Sequence, residues 1–313
     1  MNRRSAIRTL MAAGAGSCVS ALSARTLQEP GENFVIHSEV RLVLLDVSVK
    51  DRQGAVVSEL SKDNFSVFEN GQAQQITVFD HSDLPVTVGL LVDESRSMEP
   101  KRGDVLMAAQ TFISESNPND EIFVLNFNDS VKAGLPGHIP FSDDPSQLRT
   151  ALYRGVSQGK TALNDAVVKG LEHLELGRRD KKTLVLISDG GDNASVSTHK
   201  EMLDKVHRSI ATIYTVGLFE DEDPDRNPGV LRDLSKISGG EAFFPTSSSE
   251  MVPVCHRIAK DIRTRYTIGY LPSMDNGKNP IRNIRIRVSA PGHGELIIRH
   301  RSSYRYDVSE TNK

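Results

Sequence analysis

The sequence predicts an α/β protein whose doubly wound, mostly parallel sheet is inserted into a small β-sandwich formed by the N- and C-terminal segments. Three observations predict this class. Continuous apolar runs at residues 90–92 and 184–187 are typical of parallel strands buried on both faces. Strands and helices alternate between residues 85 and 218. Outside that region, segments near both chain ends alternate apolar and polar residues, as half-buried strands do.

The predicted β-sandwich draws its strands from both ends of the chain. Residues 31–83 supply the N-terminal half, with strands at 40–50, near 65–69 and at 75–80. In the first of these, residues 43, 45, 47 and 49 form a wholly apolar face. Three such strands alone would leave unpaired edges. We therefore expect their partners in residues 265–306, with strands at 265–272, 281–289 and 295–300.

The inserted domain is predicted to span residues 84–264. Its expected strands and helices follow one another in an order typical of a doubly wound sheet. The strands are 85–92, 121–127, a short edge strand, 182–188 and 212–218, and the helices are 101–116, 145–154, 162–176 and 198–209. A further helix is predicted at 251–265.

The first candidate site motif follows strand 85–92 directly. Asp93, Ser95 and Ser97 form an Asp-x-Ser-x-Ser cluster, so one carboxylate and two hydroxyls can converge where the strand ends. Oxygen ligands without His or Cys suit Mg²⁺ or a similar hard cation. The same residue types also form turns and helix caps, so the cluster alone does not establish a site.

Two later segments add ligands of the same kind. Thr161 lies in the loop before helix 162–176, and Asp189 follows the apolar strand 182–188. In open parallel sheets, ligands bind beyond the carboxyl ends of the strands, where such loops can meet.

This constellation resembles the metal-ion-dependent adhesion site of the von Willebrand factor type A domain family. The resemblance implies that Ser95, Ser97 and Thr161 offer hydroxyl ligands, while Asp93 and Asp189 bind the ion directly or through water. The resemblance also implies that the site binds one Mg²⁺ ion, or one Mn²⁺ or Ca²⁺ ion in its place. The whole layout, including Phe65-Ser66-Val67-Phe68-Glu69-Asn70-Gly71 and Ser238-Gly239-Gly240-Glu241-Ala242-Phe243-Phe244, is similar to bacterial exported VWFA-related proteins, for which no activity follows.

The function expected from this resemblance is adhesion-type protein binding, in which the cation bridges to an exposed Asp or Glu of a partner protein. An envelope assembly or structural factor with the same fold is an alternative, and a metal-dependent hydrolase is a less favoured one. A hydrolase would need a general base, and the motif loops supply only Glu94, Asp165 and Asp192. We expect no enzyme, since the sequence has no His-based zinc motif, phosphate loop or Gly-x-Ser-x-Gly elbow.

The composition of the chain limits the classes of binding partner that we expect. The formal net charge is −3, which favours neither nucleic acid nor an anionic membrane surface. We expect a monomer. The arginines at positions 282, 285, 287, 299 and 301 are interpreted as a solvated sheet face, with a site for an acidic partner as the alternative.

The first 24 residues are predicted to form an export signal. Arg3 and Arg4 precede a modest stretch rich in Ala, Gly and Ser, which resembles a bacterial twin-arginine leader. The mature chain is then expected in the periplasm or outside the cell, without a membrane span. A retained anchor and lipidation at Cys18 are alternatives. Without the leader, Cys255 is the only cysteine, and it is predicted to pack on a helix. Residues 307–313 are expected to form a disordered tail.

Overall fold

The computed structural model describes residues 42–219, 226–272 and 279–306. All of these residues lie in one compact unit within Val40–Lys313. The export signal at 1–24 and the tail at 307–313 fall outside the described residues.

Fourteen strands and six helices are found in the described ranges. The strands are β1 (Val43–Lys50), β2 (Phe65–Glu69), β3 (Gln72–Gln74), β4 (Ile76–Asp80), β5 (Val86–Asp93), β6 (Glu121–Phe127), β7 (Val131–Ala133), β8 (Lys181–Ser188), β9 (Thr212–Gly217), β10 (Ala242–Phe243), β11 (Tyr266–Tyr270), β12 (Ile281–Val288), β13 (Ile297–Arg299) and β14 (Ser303–Arg305). The helices are α1 (Arg102–Glu115), α2 (Pro145–Tyr153), α3 (Leu163–Glu175), α4 (His199–Arg208), α5 (Pro228–Ser238) and α6 (Ser248–Arg263).

The central sheet has six strands in the order β10-β9-β8-β5-β6-β7. All neighbours pair in parallel except the edge strand β7, which runs antiparallel to β6. Every residue of β5 is buried, as expected for a strand covered on both faces. Helix α1 packs against α2 and α6, whereas α3 packs against α4 and α4 against α5. The predicted α/β class with a mostly parallel sheet is confirmed.

Two four-stranded antiparallel sheets combine strands from both ends of the chain. One has the order β13-β1-β11-β4 and the other β14-β12-β2-β3. Their inner faces share one apolar core, to which β1 contributes Leu45 and Val47, β11 contributes Tyr266, and β12 contributes Ile284 and Ile286. This arrangement agrees with the expected β-sandwich, whereas the boundaries of the domains stay a prediction.

The predicted elements are found within a few residues of their expected bounds, and β6 matches its prediction at both ends. Four elements were not predicted, namely the short strands β3, β10 and β14 and the 11-residue helix α5. Cys255 is packed inside the core of the α/β region as expected, and burial raises the pKa of its thiol to about 12.

The arginine strip is not a uniformly solvated face, so that interpretation is wrong for two of its members. Arg282 and Arg301 are buried, whereas Arg285 and Arg287 on the outer face of β12 are exposed. Arg282 points into the sandwich, where its Nη1 donates to Glu69 Oε1 and its guanidinium stacks on Tyr306. Because Glu69 is more than 200 positions away in the sequence, the pairing could not be read from the local pattern.

Helix α5 ends in a Gly-Gly pair that lets two chain segments approach it closely. Gly239 caps the helix with φ of 87°, a left-handed conformation that favours glycine. A Cβ atom on Gly239 would lie 2.3 Å from Arg301 N, and one on Gly240 would lie 1.9 Å from the carbonyl oxygen of Ile213. Both obstacles are backbone atoms, which cannot rotate away.

Gly240→Ala is therefore expected to destabilise the fold by about 1–3 kcal/mol, the usual cost of overpacking. Gly103→Ala is the matched control, because Gly103 lies exposed in α1 with nothing within 4 Å of a Cβ atom. The control should keep or gain stability, since alanine is the better helix former by roughly 0.5–1 kcal/mol. Urea unfolding of both variants checks this expectation, and equal midpoints would contradict it.

Candidate functional site

The candidate site lies where β5 and β8 end. These neighbours run in parallel, and the register pairs Val92 with Ile187. The next residues, Asp93 and Ser188, therefore lie side by side at the same edge of the sheet. The Ser188 hydroxyl donates to Asp93 Oδ2 over 2.6 Å, and the Gly190 amide donates to the same hydroxyl over 3.0 Å.

Four of the five predicted ligands form one connected chain of hydrogen bonds. The Ser95 amide donates to Asp93 Oδ1 over 2.8 Å. The hydroxyls of Ser95 and Ser97 lie 3.1 Å apart, at the start of a 3₁₀ turn that leads into α1. The Ser97 hydroxyl donates to Asp189 Oδ2 over 2.5 Å. Side chains that lie far apart in the sequence thus meet above the sheet.

Thr161 is tied through its backbone to the loop that follows Asp189. Its amide donates to Asn193 Oδ1 over 2.9 Å, and its carbonyl oxygen accepts from the amides of Asn193 and Ala194. The amide of Arg96 donates to the carbonyl oxygen of Gly159 over 3.2 Å, which ties the first loop to the second. All three motif loops are therefore held together in the folded chain.

Two carboxylates hold these loops in position by accepting hydrogen bonds. Asp165 accepts from the amides of Val196 and Ser197. Although its partial burial alone would raise its pKa, the hydrogen bonds from Ser197 and Val196 hold the pKa of Asp165 below its ordinary value. Asp192 accepts from the Asn164 amide group and from the Ser195 hydroxyl, both over 2.6 Å. Both acids are engaged in positioning the loop that follows Asp189.

The electrostatics of the site favour a cation. Asp93 and Asp189 are 2% and 1% exposed. Burial, followed by the charge of Asp189, raises the pKa of Asp93 from 3.8 to about 7. Two carboxylates held together in a buried site repel each other, and a divalent ion between them would remove that repulsion. The donor set also fits, because carboxylate and hydroxyl oxygens are hard ligands of the kind that Mg²⁺ takes.

Within the described part of the chain, no three His, Cys, Asp or Glu side chains are grouped so that they could hold a metal. The candidate set has only two carboxylates, so it depends on its hydroxyl groups. Ser188, Asn164 and Asn193 complete the surroundings and were not predicted as site residues. Of these three, only Ser188 could have been predicted from the sequence. It is the last residue of β8, and the neighbouring strand β5 ends at Asp93.

Glu94 does not join the site, although it lies between Asp93 and Ser95. Its side chain is 2% exposed and turns away, and its Oε2 accepts from the Ser157 hydroxyl over 2.9 Å. Burial raises the pKa of Glu94, while the Ser157 hydroxyl and Arg102 act in the opposite direction.

Comparison with known proteins agrees with the fold. Residues 88–191 match the family model of the von Willebrand factor type A domain. A von Willebrand factor type A structure from Catenulispora acidiphila aligns with a TM-score of 0.51 and 13% identity over 88% of this chain and 77% of its own. Proximal thread matrix protein 1 from the mussel byssus aligns with a TM-score of 0.50 and 14% identity over 62% of this chain and 50% of its own. No curated protein matches the chain.

A second structure of the mussel protein is described as having a zinc-occupied MIDAS motif, the metal-ion-dependent adhesion site. It aligns with a TM-score of 0.47 and 14% identity over 58% of this chain and 48% of its own. The likeness to the Catenulispora acidiphila structure and to the first mussel structure, at 13% and 14% identity, shows the fold alone. The family match over residues 88–191 confirms the resemblance to the von Willebrand factor type A domain family.

Proposed function

We propose that this chain, which contains a von Willebrand factor type A domain, is a metal-ion-dependent protein-binding module. The proposed ligands of the ion are Asp93, Ser95, Ser97, Thr161 and Asp189. The observation that carries the proposal is the pair of buried carboxylates, Asp93 and Asp189, held beside hydroxyls at the edge of a parallel sheet.

The charges of the site suit a bridging role. Mg²⁺ or a similar ion, when bound, would be neutralised by Asp93 and Asp189 and could accept one more anionic oxygen. An exposed Asp or Glu of a partner protein is the ligand of that chemistry. The carboxylates that hydrolysis would need are engaged elsewhere. Glu94 accepts from the Ser157 hydroxyl, Asp165 accepts from backbone amides, and Asp192 accepts from the side chains of Asn164 and Ser195. This supports binding over catalysis.

The setting of the module is proposed from the sequence. The leader with Arg3 and Arg4 favours export to the periplasm or the cell exterior, where the chain would act as a monomer. Among the helices that the structure describes, none has the length and apolarity needed to span a bilayer. An envelope assembly factor would use the same site and differ only in its partner.

The decisive experiment captures the partner and tests the metal in one step. Envelope extract is passed over the immobilised chain in Mg²⁺ and in EDTA, and a protein retained only with Mg²⁺ is identified. Its affinity is then measured by surface plasmon resonance in both buffers. We expect binding to be lost in EDTA and to be lost again when the partner's contacting acid is changed to its amide. Equal affinity in EDTA would rule out the metal bridge.

A further inference from the structure

The outer face of the sheet β14-β12-β2-β3 carries a cavity beside the turn between β2 and β3. Its volume is about 460 Å³. The lining includes Phe68 and Asn70 from the β2 side and Asn283, Arg285 and Arg287 from β12. Among the described residues that line it, none is an Asp or Glu. The proposed adhesion-type site uses none of these side chains.

Arg285 and Arg287 have no counter-charge on this face of the sheet. Both are exposed, and neither forms an ion pair or a hydrogen bond with another residue of the described ranges. The acid of β2, Glu69, is buried on the opposite face, where it pairs with Arg282. Two positive charges on the outer face are therefore open to a ligand.

The strand pairing fixes the positions of these two arginines. They lie two residues apart on β12, so they project from the same face, roughly 7 Å apart along the strand. Across the sheet, Arg285 pairs with Phe68 and Arg287 with Ser66. The Cζ atom of Arg287 lies 5.0 Å from the centre of the Phe68 ring. This cation–π contact uses none of the N–H donors of Arg287, which stay available to a ligand.

The turn beside the cavity adds a neutral donor. Asn70 Oδ1 accepts from the backbone amide of Asn283 over 3.0 Å, which leaves Nδ2 as the free group of the Asn70 side chain. In the part of the chain that the structure describes, the Asn283 side chain makes no hydrogen bond. The free polar groups of the cavity are thus two guanidinium groups and two side-chain amides. Guanidinium groups beside amide donors suit a ligand that carries negatively charged oxygens.

We propose that this cavity binds an acidic peptide segment of a partner protein through carboxylates that pair with Arg285 and Arg287. In an extended peptide, every second side chain points to the same side, at intervals of roughly 7 Å. Asp or Glu at alternate positions therefore matches the spacing of the two arginines, whose planar forks bind carboxylates. The Asn70 amide group is placed to donate to a carbonyl oxygen of the peptide. This surface needs no metal ion, so it is independent of the proposed adhesion-type site.

The test measures binding of a labelled peptide, acetyl-Ser-Asp-Ser-Asp-Ser-amide, to the full mature chain by fluorescence anisotropy. EDTA is present throughout, so the metal-dependent site makes no contribution. We expect weak binding at low salt. Raising NaCl from about 0.01 M to about 1 M shortens the Debye length from roughly 30 Å to roughly 3 Å and should abolish it. The same peptide with Asn in place of Asp should not bind.

The variants assign the binding to this cavity. Arg285→Gln and Arg287→Gln should each weaken binding by about two- to fivefold, the range for one exposed ion pair, and the double variant should lose it. Arg149→Gln is the matched control, because Arg149 is exposed on α2 and lies outside the cavity. It removes the same charge and should bind the peptide like the parent chain. All four melting temperatures should stay close to that of the parent, since the replaced side chains are exposed.

The proposal is overturned if the Asp peptide does not bind at low salt, or if the double variant binds it as well as Arg149→Gln does. Inorganic phosphate that competes as tightly as the peptide would show a small-anion site instead. Should a variant fail to fold, a photo-crosslinking form of the peptide is applied to the unaltered chain. Crosslinks to β12 or to the β2–β3 hairpin support the proposal, and crosslinks elsewhere contradict it. Because every measurement is made in EDTA, failure here is distinct from failure of the adhesion-type function.

Discussion

Asp261→Ala is expected to destabilise the protein by about 3–5 kcal/mol, the cost of breaking a buried ion pair. Asp261 is 1% exposed on α6, and its carboxylate lies 2.8 Å from the ammonium of Lys50 and 2.8 Å from the guanidinium of Arg265. It also accepts hydrogen bonds from Ser48 over 2.6 Å and Tyr214 over 2.5 Å. Its removal leaves two buried cations without this counter-charge.

The chain offers a matched control for this variant. Asp204 on α4 lies 2.9 Å from Arg208, with the same four-residue spacing, and 2.7 Å from Arg305 of β14, but its side chain is 40% exposed. Asp204→Ala should cost less than about 1 kcal/mol, as exposed pairs do. Denaturant unfolding of both variants checks the comparison. Similar losses in the two variants would show that the buried network does not stabilise the junction between α6 and β1.

The difference in stability between the parent protein and Asp261→Ala should also depend on pH. The charges of Arg265 and Lys50, with the hydrogen bond from Ser48, outweigh burial and hold the pKa of Asp261 well below its ordinary value of 3.8. A carboxylate with a lowered pKa stabilises the fold fully above the pKa of the unfolded chain. That contribution is lost as the pH falls below 3.8. The gap between the parent protein and Asp261→Ala should therefore be constant near neutral pH and narrow in acid.

Local patterns were sufficient to predict most of the fold, because a strand or helix of normal length repeats its apolar period several times. The missed strands β3, β10 and β14 have only three, two and three residues, too short for any period to show. The burial of polar and charged side chains on β1 was not predicted either. Ser48 and Lys50 lie on the polar face of β1, yet both are buried because Asp261, more than 200 residues later, packs over them.

The candidate site, too, could be predicted from the sequence only in part. Its proposed ligands follow strand ends or lie in a glycine-rich loop, so their positions could be predicted from sequence. The side chains that orient the loops could not, since Asn164 and Asp192 meet only when α3 and the loop after β8 come together. Glu94 shows the limit most clearly. It lies between two predicted ligands, but its carboxylate accepts from Ser157 and lies beside Arg102, and only the folded backbone brings these residues together.

Asp93→Asn and Asp189→Asn are each expected to weaken Mg²⁺ or Mn²⁺ binding by more than roughly 100-fold, since even residues that merely orient metal ligands are worth 10–100-fold. Either change removes half of the negative charge that would balance the ion. Thr161→Ala removes a neutral hydroxyl and should give a smaller loss. Partner binding should fall in parallel with metal binding in all three variants. Calorimetric titration with MgCl₂ or MnCl₂ gives the affinity for each.

The fold should survive these changes, and the stability without metal distinguishes a lost ligand from a damaged structure. Burial and the neighbouring charge of Asp189 raise the pKa of Asp93 to about 7, so its charged form is disfavoured when no cation is present. In EDTA at neutral pH, Asp93→Asn should therefore melt at the same temperature as the parent chain or above it, while losing the rise that Mg²⁺ produces in the parent. Asp233→Asn, on the exposed face of α5, removes the same charge far from the proposed ligands in sequence and should bind Mg²⁺ normally. If Asp93→Asn binds Mg²⁺ as tightly as Asp233→Asn does, the two buried carboxylates do not hold the ion, and the adhesion-type site is excluded.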